Sequence, residues 1–377
     1  MTKAIILSGG WGTRLRPLTC TTPKALVPVV NIPVIERLML LLKEAGVKEI
    51  VLAVSVMSEY LSNYFGNGDR LGLKLHYTNE RKPMGTAGAL KLAEELLDND
   101  NFFMINGDII INFVFKKMLD THNTKDDIGL IASRTVKNPS RYGVLISDKK
   151  KKIAQFLEKD NFNPSIHGNS DMPVNAGIYI LEPEIFQYIQ SNKNLSLERD
   201  IFPILASENK LSHYPITGIW KDIGLPFQLL EGNILFMKDI IDKRNNNEKN
   251  IIDKNVQINS NVKIDPPITI GKNVKIGKDS IIGPNVIIGE NVEIGNHCKI
   301  KDSLIYKNVI ISENSDILKS IIADHSIINK NTTLKGNKKN LVIISSYVQV
   351  NENIKIISPT NHSISICPHE IVKKDII

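Results

Sequence analysis

The sequence predicts an α/β region with a mostly parallel sheet, followed by a parallel β-helix. Up to about residue 235, apolar runs of strand length alternate with stretches whose apolar residues fall at helical spacing. Residues 238–250 are polar, with little apolar content after Ile241. Beyond them isoleucine recurs every six residues from Ile252 to Ile300 without a break. Neither an amphipathic helix nor an ordinary strand has that period, but a coil of short stacked strands does.

The first strand is expected at Lys3 to Leu7, a short branched apolar run that opens into Gly9-Gly10-Trp11-Gly12. Glycines there permit a sharp turn whose N–H groups can cradle an anion, and Arg14, Arg16 and Lys24 add fixed positive charge. The stretch lacks the Lys-Ser/Thr ending of a P-loop and the third glycine of a dinucleotide-binding turn. Ile35, Leu38, Met39 and Leu42 mark a helix that Gly46 stops before a strand at 50–54. A strand at 73–77 precedes Met84-Gly85-Thr86-Ala87-Gly88, and Leu90, Ala93 and Leu97 give the next helix face. Phe102 to Ile105 reads as a buried strand ending in Asn106-Gly107-Asp108. In such folds ligands gather at the carboxyl ends of strands, so functional residues are expected just after them.

Composition narrows the class. With 377 residues, 42% of them hydrophobic, the chain has material for more than one core. No apolar run approaches a membrane span and the N-terminus lacks a signal-peptide layout, so no membrane partner and a cytoplasmic location are expected. Cys20, Cys298 and Cys367 are too few and scattered for a disulfide framework or zinc cluster. The net charge of +7 is spread along the chain without a nucleic-acid motif, and small anionic substrates account for it as well. Lys149 to Lys152 reads as a solvated hairpin tip.

Gly9-Gly10-x-Gly12-Thr13-Arg14-Leu15-Arg16-Pro17-Leu18-Thr19, with Pro23-Lys24 behind it, resembles the signature of sugar-1-phosphate nucleotidylyltransferases. Further likeness lies in 52–58, Gly85-Thr86-Ala87-Gly88, 196–202 and Pro368-His369. The resemblance implies a Rossmann-like nucleotidyltransferase domain over 1–237 that joins a nucleoside triphosphate to a sugar-1-phosphate. It places the nucleotide at Leu7, Gly9, Gly10, Gly12, Thr13, Gly85, Thr86 and Asp108, and Mg²⁺ on Asp108 and Asp222. The sugar phosphate is assigned to Gly143, Glu158, Lys159 and Asn175, and the catalytic set is Arg14, Lys24, Asp108, Lys159 and Asp222. Magnesium takes oxygen ligands, so paired aspartates beside a polyphosphate loop suit it. Asn175-Ala176-Gly177 is also the composition of a tight turn. Asp160 follows Glu158-Lys159 where the family usually has proline, a departure that bears on the course of that loop.

A linker is expected at 238–250 and a β-helix over 251–377. Its hexapeptide repeats resemble the left-handed parallel β-helix, with isoleucines filling the interior. The repeat blurs after Ser312, recovers over 321–332 and is loose by Gly336, which predicts an imperfect or capped last portion. Similar coils occur in acyltransferases, where His297 or His325 would serve as base. Yet His297 stands where a repeat has a small or polar turn residue, and no acyl-carrier site is evident. Scaffolding, or homo-oligomerisation through the β-helix, is the expected role. Together the two halves resemble the branch of the family that couples GTP to mannose-1-phosphate. Another base and sugar pair, or a non-catalytic regulatory subunit, are the alternatives. Retention of Arg14, Lys24, Asp108, Lys159 and Asp222 favours catalysis.

Overall fold

A computed structural model describes residues 3–55, 58–80, 82–163, 171–244 and 248–377. The chain packs as two compact units, one of Met1–Trp11 with Val34–Trp220, the other of Gly12–Pro33 with Lys221–Ile377. The division falls inside the glycine-rich stretch, between Trp11 and Gly12.

The first unit is built on a nine-stranded sheet. Lys3–Leu7 runs parallel to both Glu49–Val54 and Phe102–Asn106, and Glu49–Val54 pairs in parallel with Lys74–Asn79. Strands covered on both faces need continuous apolar runs, and Ala4, Ile5, Ile6 and Phe102 to Ile105 are all fully buried. Register aligns Leu7 with Ala53 and with Asn106, and Val54 with Asn79, so four carboxyl ends meet at one sheet edge. From Gly129 onward antiparallel strands extend the sheet, apart from Leu211–Pro215, which runs parallel to Gly129–Val136. Met172–Leu181 pairs antiparallel with Phe102–Asn106 and with Gly129–Val136, and Val144–Ser147 and Ile153–Leu157 form a hairpin. The lysine-rich tip of that hairpin is less uniformly solvated than expected, because Lys152 pairs with the buried carboxylate of Asp127.

In the second unit the helix Pro226–Lys243 starts with proline in its first turn, where no N–H is required, and buries Leu229, Leu230, Phe236 and Met237. The helix continues through 238–243, the first part of the stretch read as a linker, with Lys243 paired to Asp239 at 2.7 Å. Asn245, Asn246 and Asn247 of that stretch, and Val56 and Met57 of the 52–58 likeness, lie outside the described residues.

From Asn250 onward the unit is a left-handed parallel β-helix, with three sheets of seven, seven and six parallel strands. Ile270, Ile276, Ile282 and Ile288 are fully buried in its interior, with Ile294 and Ile300 nearly so. Ile252 and Ile258 stay exposed, because the first coil has a stacked neighbour on one side only. Glycine follows Ile270, Ile276, Ile282, Ile288 and Ile294 because the next coil leaves little room: a Cβ on Gly271 would lie 2.7 Å from the Gly289 carbonyl carbon. The corners need a left-handed backbone, which asparagine tolerates best among non-glycine residues. Asn255, Asn273, Asn291 and Asn308 adopt it with φ of 59°, 57°, 55° and 56°. Their side-chain amides join in a ladder of 3.3, 2.9 and 3.0 Å.

The loosening expected from Ser312 onward does not end the coil, which continues to Ile371–Val372. Corner partners are 18 residues apart at Asn273 and Asn291, 17 at Asn291 and Asn308, and 22 at Asn331 and Asn353. Two successive 17-residue coils and two 22-residue coils, the first of the longer pair holding an Asn337–Asn340 bridge, shift the period while the strands keep stacking.

Candidate active site

In the first unit Gly9 and Gly107 sit where the sheet's carboxyl edge leaves little space. The Leu7 carbonyl accepts the Gly107 N–H at 2.8 Å, which holds the turn carrying Asp108 against the end of the first strand. A Cβ on Gly9 would lie 3.2 Å from Glu80 Oε1 and 3.4 Å from Ser55 Oγ, whereas one on Gly10 would meet open space. Ser55 donates to the Gly9 carbonyl, fixing the turn. Glu80 Oε2 accepts the Met84 N–H at 3.2 Å. Burial raises the pKa of Glu80 above the usual carboxylate range. Gly85 has φ +72°, and a side chain there would collide with the Leu195 carbonyl, so this helix start requires glycine.

Thr86 joins that helix start to a second cluster in the same unit. Its hydroxyl donates to Glu198 Oε2 at 2.7 Å and accepts the Leu197 N–H at 2.8 Å. Glu198 Oε1 accepts from Tyr179 Oη at 3.2 Å, and Tyr179 Oη accepts from Asn175 Nδ2 at 2.9 Å. Asn175 Oδ1 takes the Gly177 N–H at 2.9 Å, and its own N–H donates to the Gly143 carbonyl at 2.8 Å. A Cβ on Gly143 would lie 3.1 Å from Glu158 Oε2. Burial and then the charge of Glu198 raise the Glu158 pKa. Three of the four expected sugar-phosphate residues, Gly143, Glu158 and Asn175, thus meet in one polar cluster. Lys159 is exposed at the start of the turn Lys159–Asn161, which Glu158 precedes. Asp160 lies inside that turn, and Glu158 still reaches Gly143.

The second unit holds the basic part of the signature. Gly12 has φ +60°, and a Cβ there would lie 3.0 Å from Thr19 Cγ2 and 3.1 Å from Lys24 Cβ. Thr19 Oγ1 donates to the Gly12 carbonyl at 2.8 Å, closing a loop around the turn Thr13–Leu15. A Cβ on Gly224 would lie 3.0 Å from Asp222 Oδ2 and 3.1 Å from Arg14 Nη2, so Arg14 and Asp222 converge on this glycine. Asp222 ends the strand Trp220–Asp222 and is half-buried. Asp108, also half-buried, belongs to the first unit.

His297 and His325 are corner residues of the coil, with φ of 57° and 62°. His325 stacks on Tyr347 at 4.9 Å, and Tyr347 stacks on His369 at the same spacing. These positions give both histidines a structural occupation.

Three residues of the first unit carry no signal of their own in the sequence. Glu80 gains its surroundings only when Gly9 and Met84 close around it. Tyr179 is fully buried within a strand, and Glu198 connects Thr86, Ser196 and Tyr179. Only the likeness over 196–202 hinted at the last.

Comparison with known proteins places these features. Residues 3–238 match the family described as Nucleotidyl transferase, and residues 273–377 match the GMPPB C-terminal domain. The chain is 40% identical over 250 residues to mannose-1-phosphate guanyltransferase of Saccharomyces cerevisiae, covering 64% of this chain and 66% of that protein. It is 40% identical over 242 residues to the mannose-1-phosphate guanylyltransferase catalytic subunit beta of Danio rerio, covering 63% and 65%. The matches thus span just under two thirds of these relatives' length. The crystal structure of HddC from Yersinia pseudotuberculosis complexed with GMP-PN superposes with a TM-score of 0.52 at 28% identity, covering 63% of this chain and all of that one. The chain belongs to the nucleotidyl transferase family.

Proposed function

We propose that the protein transfers a guanylyl group from GTP to mannose-1-phosphate, giving GDP-mannose and pyrophosphate. The observation that carries this reading is the basic turn itself, with Arg14 converging on Asp222 and the Lys24 stem packed beside Gly12. The names of the relatives at about 40% identity point to the same base and sugar. Glu80 supports guanine independently. Guanine places two donors, N1–H and the N2 amine, side by side on its pairing edge, and a carboxylate accepts such a pair. Glu80 is half-buried beside Gly9 and presents that acceptor.

In the proposed reaction an oxygen of the sugar phosphate attacks the α-phosphorus in line. The bond from that phosphorus to the bridging oxygen breaks, and pyrophosphate leaves with the electron pair. A phosphate dianion is already a nucleophile, so no general base is required, and positioning with charge neutralisation supplies the rate. Arg14 and Lys24 would neutralise the departing pyrophosphate, and Lys159 would guide the incoming phosphate. Glu158 and Asn175 would take sugar hydroxyls, with Tyr179 and Glu198 holding Asn175 in place. Mg²⁺ is the proposed ion; when bound it would offset phosphate charge. Asp108 and Asp222 are hard oxygen donors of the kind it takes. We assign nucleotidyl transfer to 1–237, with 251–377 as a β-helix module offering a surface for self-association, and a cytoplasmic location.

The test is pyrophosphate release by the purified protein with Mg²⁺, pairing each nucleoside triphosphate with mannose-1-phosphate, glucose-1-phosphate and N-acetylglucosamine-1-phosphate. GTP with mannose-1-phosphate should exceed every other pair. Preference for another pair would overturn the substrate assignment, and silence from folded protein would overturn catalysis by this chain alone.

A further inference from the structure

The phosphate-handling loop Gly12–Pro33 belongs to the same compact unit as the β-helix. Two distant regions of that unit hold it. Near its start, Ser345 Oγ donates to the Pro17 carbonyl at 3.0 Å, a buried bond across 328 residues. Thr21 Oγ1 donates to Ser346 Oγ at 3.2 Å. Near its end, Asn31 Nδ2 donates to the Ile288 carbonyl at 2.8 Å, and Asn233 Oδ1 accepts the Val30 N–H at 2.7 Å. Val30 has φ +48°, a conformation that a β-branched residue holds only when its surroundings impose it.

The register shows how one edge reaches both ends of the loop. The strands Val286–Ile288, Ser303–Ile305, Ser320–Ile322 and Val342–Ile344 stack in that order, with Ile288 on Ile305, Ile305 on Ile322 and Ile322 on Ile344. Ile288 and Ser345 therefore lie on one edge of the coil, three coils apart, and the loop is tied along that edge. The tie continues toward the charged residues. Pro17 is fixed by Ser345, and Thr19, two positions on, closes on the Gly12 carbonyl at 2.8 Å, which sets the turn that carries Arg14 and packs against Lys24.

We propose that Ser345, assisted by Ser346, is a positioning residue of the nucleotidyl-transfer site. The β-helix is then part of the catalytic apparatus, since it holds Arg14 and Lys24 where the leaving pyrophosphate needs them. This rests on the function proposed above. The physical reason is that a hydroxyl donating to a buried carbonyl fixes a loop, and its loss leaves the carbonyl unpaired and the loop free to settle elsewhere.

Ser280 provides a matched control. It is also fully buried, its Oγ donates to a backbone carbonyl, that of Gly295, at 3.0 Å, and the bond stays within the coil. Ser345→Ala and Ser280→Ala should lower Tm by similar amounts. Only Ser345→Ala should speed amide hydrogen exchange over residues 12–27, and only it should lower kcat, by about tenfold, with little change in KM. Thr21→Val should show the same pattern more weakly, and Thr21→Ser, which keeps the hydroxyl, should restore wild-type kcat. Equal exchange and equal kcat in the two serine variants would overturn the proposal and leave the function standing. Wild-type silence across the substrate panel would overturn the function instead, and the exchange comparison would still decide whether Ser345 holds the loop.

Discussion

The sheet unit and the β-helix unit hold functional groups by different means. In the first, each polar contact is made once and has its own geometry: Thr86 to Glu198 across 112 residues, and Asn175 to Tyr179 and Glu80 to Met84 within four, the last beside Gly9. In the second, the same environment recurs every 17 to 22 residues, as an isoleucine inside, a small residue after it and a left-handed corner. Repetition makes a scaffold that local errors do not undo, whereas the sheet edge has one copy of each contact. The basic turn combines the two, being a single-copy site tied to a repetitive support.

That contrast can be broken most forcefully at Lys24. Lys24→Ala should lower turnover by about 10³-fold, the scale of losing a charge that neutralises a leaving group, while Tm stays close to wild type. A turnover within threefold would remove Lys24 from the reaction. Next in size, Ile300→Ala should cost about 3 kcal/mol in chemical denaturation, because it empties a stacked interior position. The loss should appear in the β-helix transition with KM unchanged, and a change in KM would mean that the coil's interior is coupled to the site.

Two titrations probe the first unit further. Glu158 is held above its usual value near 4.5 by burial and by Glu198, so its ionisation opposes folding as pH rises beyond that value. Glu158→Gln should therefore raise Tm at pH 7, lose the advantage below about pH 4.5, and weaken sugar-phosphate binding. His213 lies between Ser133 Oγ at 2.7 Å and Ser147 Oγ at 2.9 Å, and burial, then Lys151 and Lys125, lower its pKa from 6.5 to about 4. The unfolded chain takes up that proton first, so stability is full above pH 6.5 and is lost as pH falls toward 4. His213→Gln should flatten this acid limb in Tm-versus-pH curves, and an unchanged limb would assign it elsewhere. The smallest effect belongs to the corners. Asn291→Gly should alter stability by less than about 1 kcal/mol, since glycine accepts the left-handed backbone and only two exposed amide hydrogen bonds, to Asn273 and Asn308, are lost.

Legibility followed the same division. The β-helix announced itself because interior isoleucines, each followed by a glycine or polar residue, repeat one local rule, and the pattern blurred only where 17-residue and 22-residue coils shifted the period. The central strands were equally plain, since burial on both faces demands unbroken apolar runs at Lys3–Leu7 and Phe102–Asn106. The antiparallel extension beyond Gly129 left little trace, because pairing direction does not change a strand's own pattern. At the site, Gly9, Gly12, Arg14 and Lys24 were visible as a contiguous signature. Glu198 and Glu80 were not, because a carboxylate takes its role from partners that folding brings together, such as Thr86, 112 residues away. Nor did the sequence indicate that Pro17 would find its donor in Ser345.

Transfer of a nucleotidyl group by this chain can be followed by ³¹P NMR of the protein with GTP, mannose-1-phosphate and Mg²⁺. The triphosphate and sugar-phosphate resonances should fall together while a diphosphate diester and free pyrophosphate grow in equal amounts. Release of inorganic phosphate without the diester, or unchanged spectra from folded protein, would contradict it.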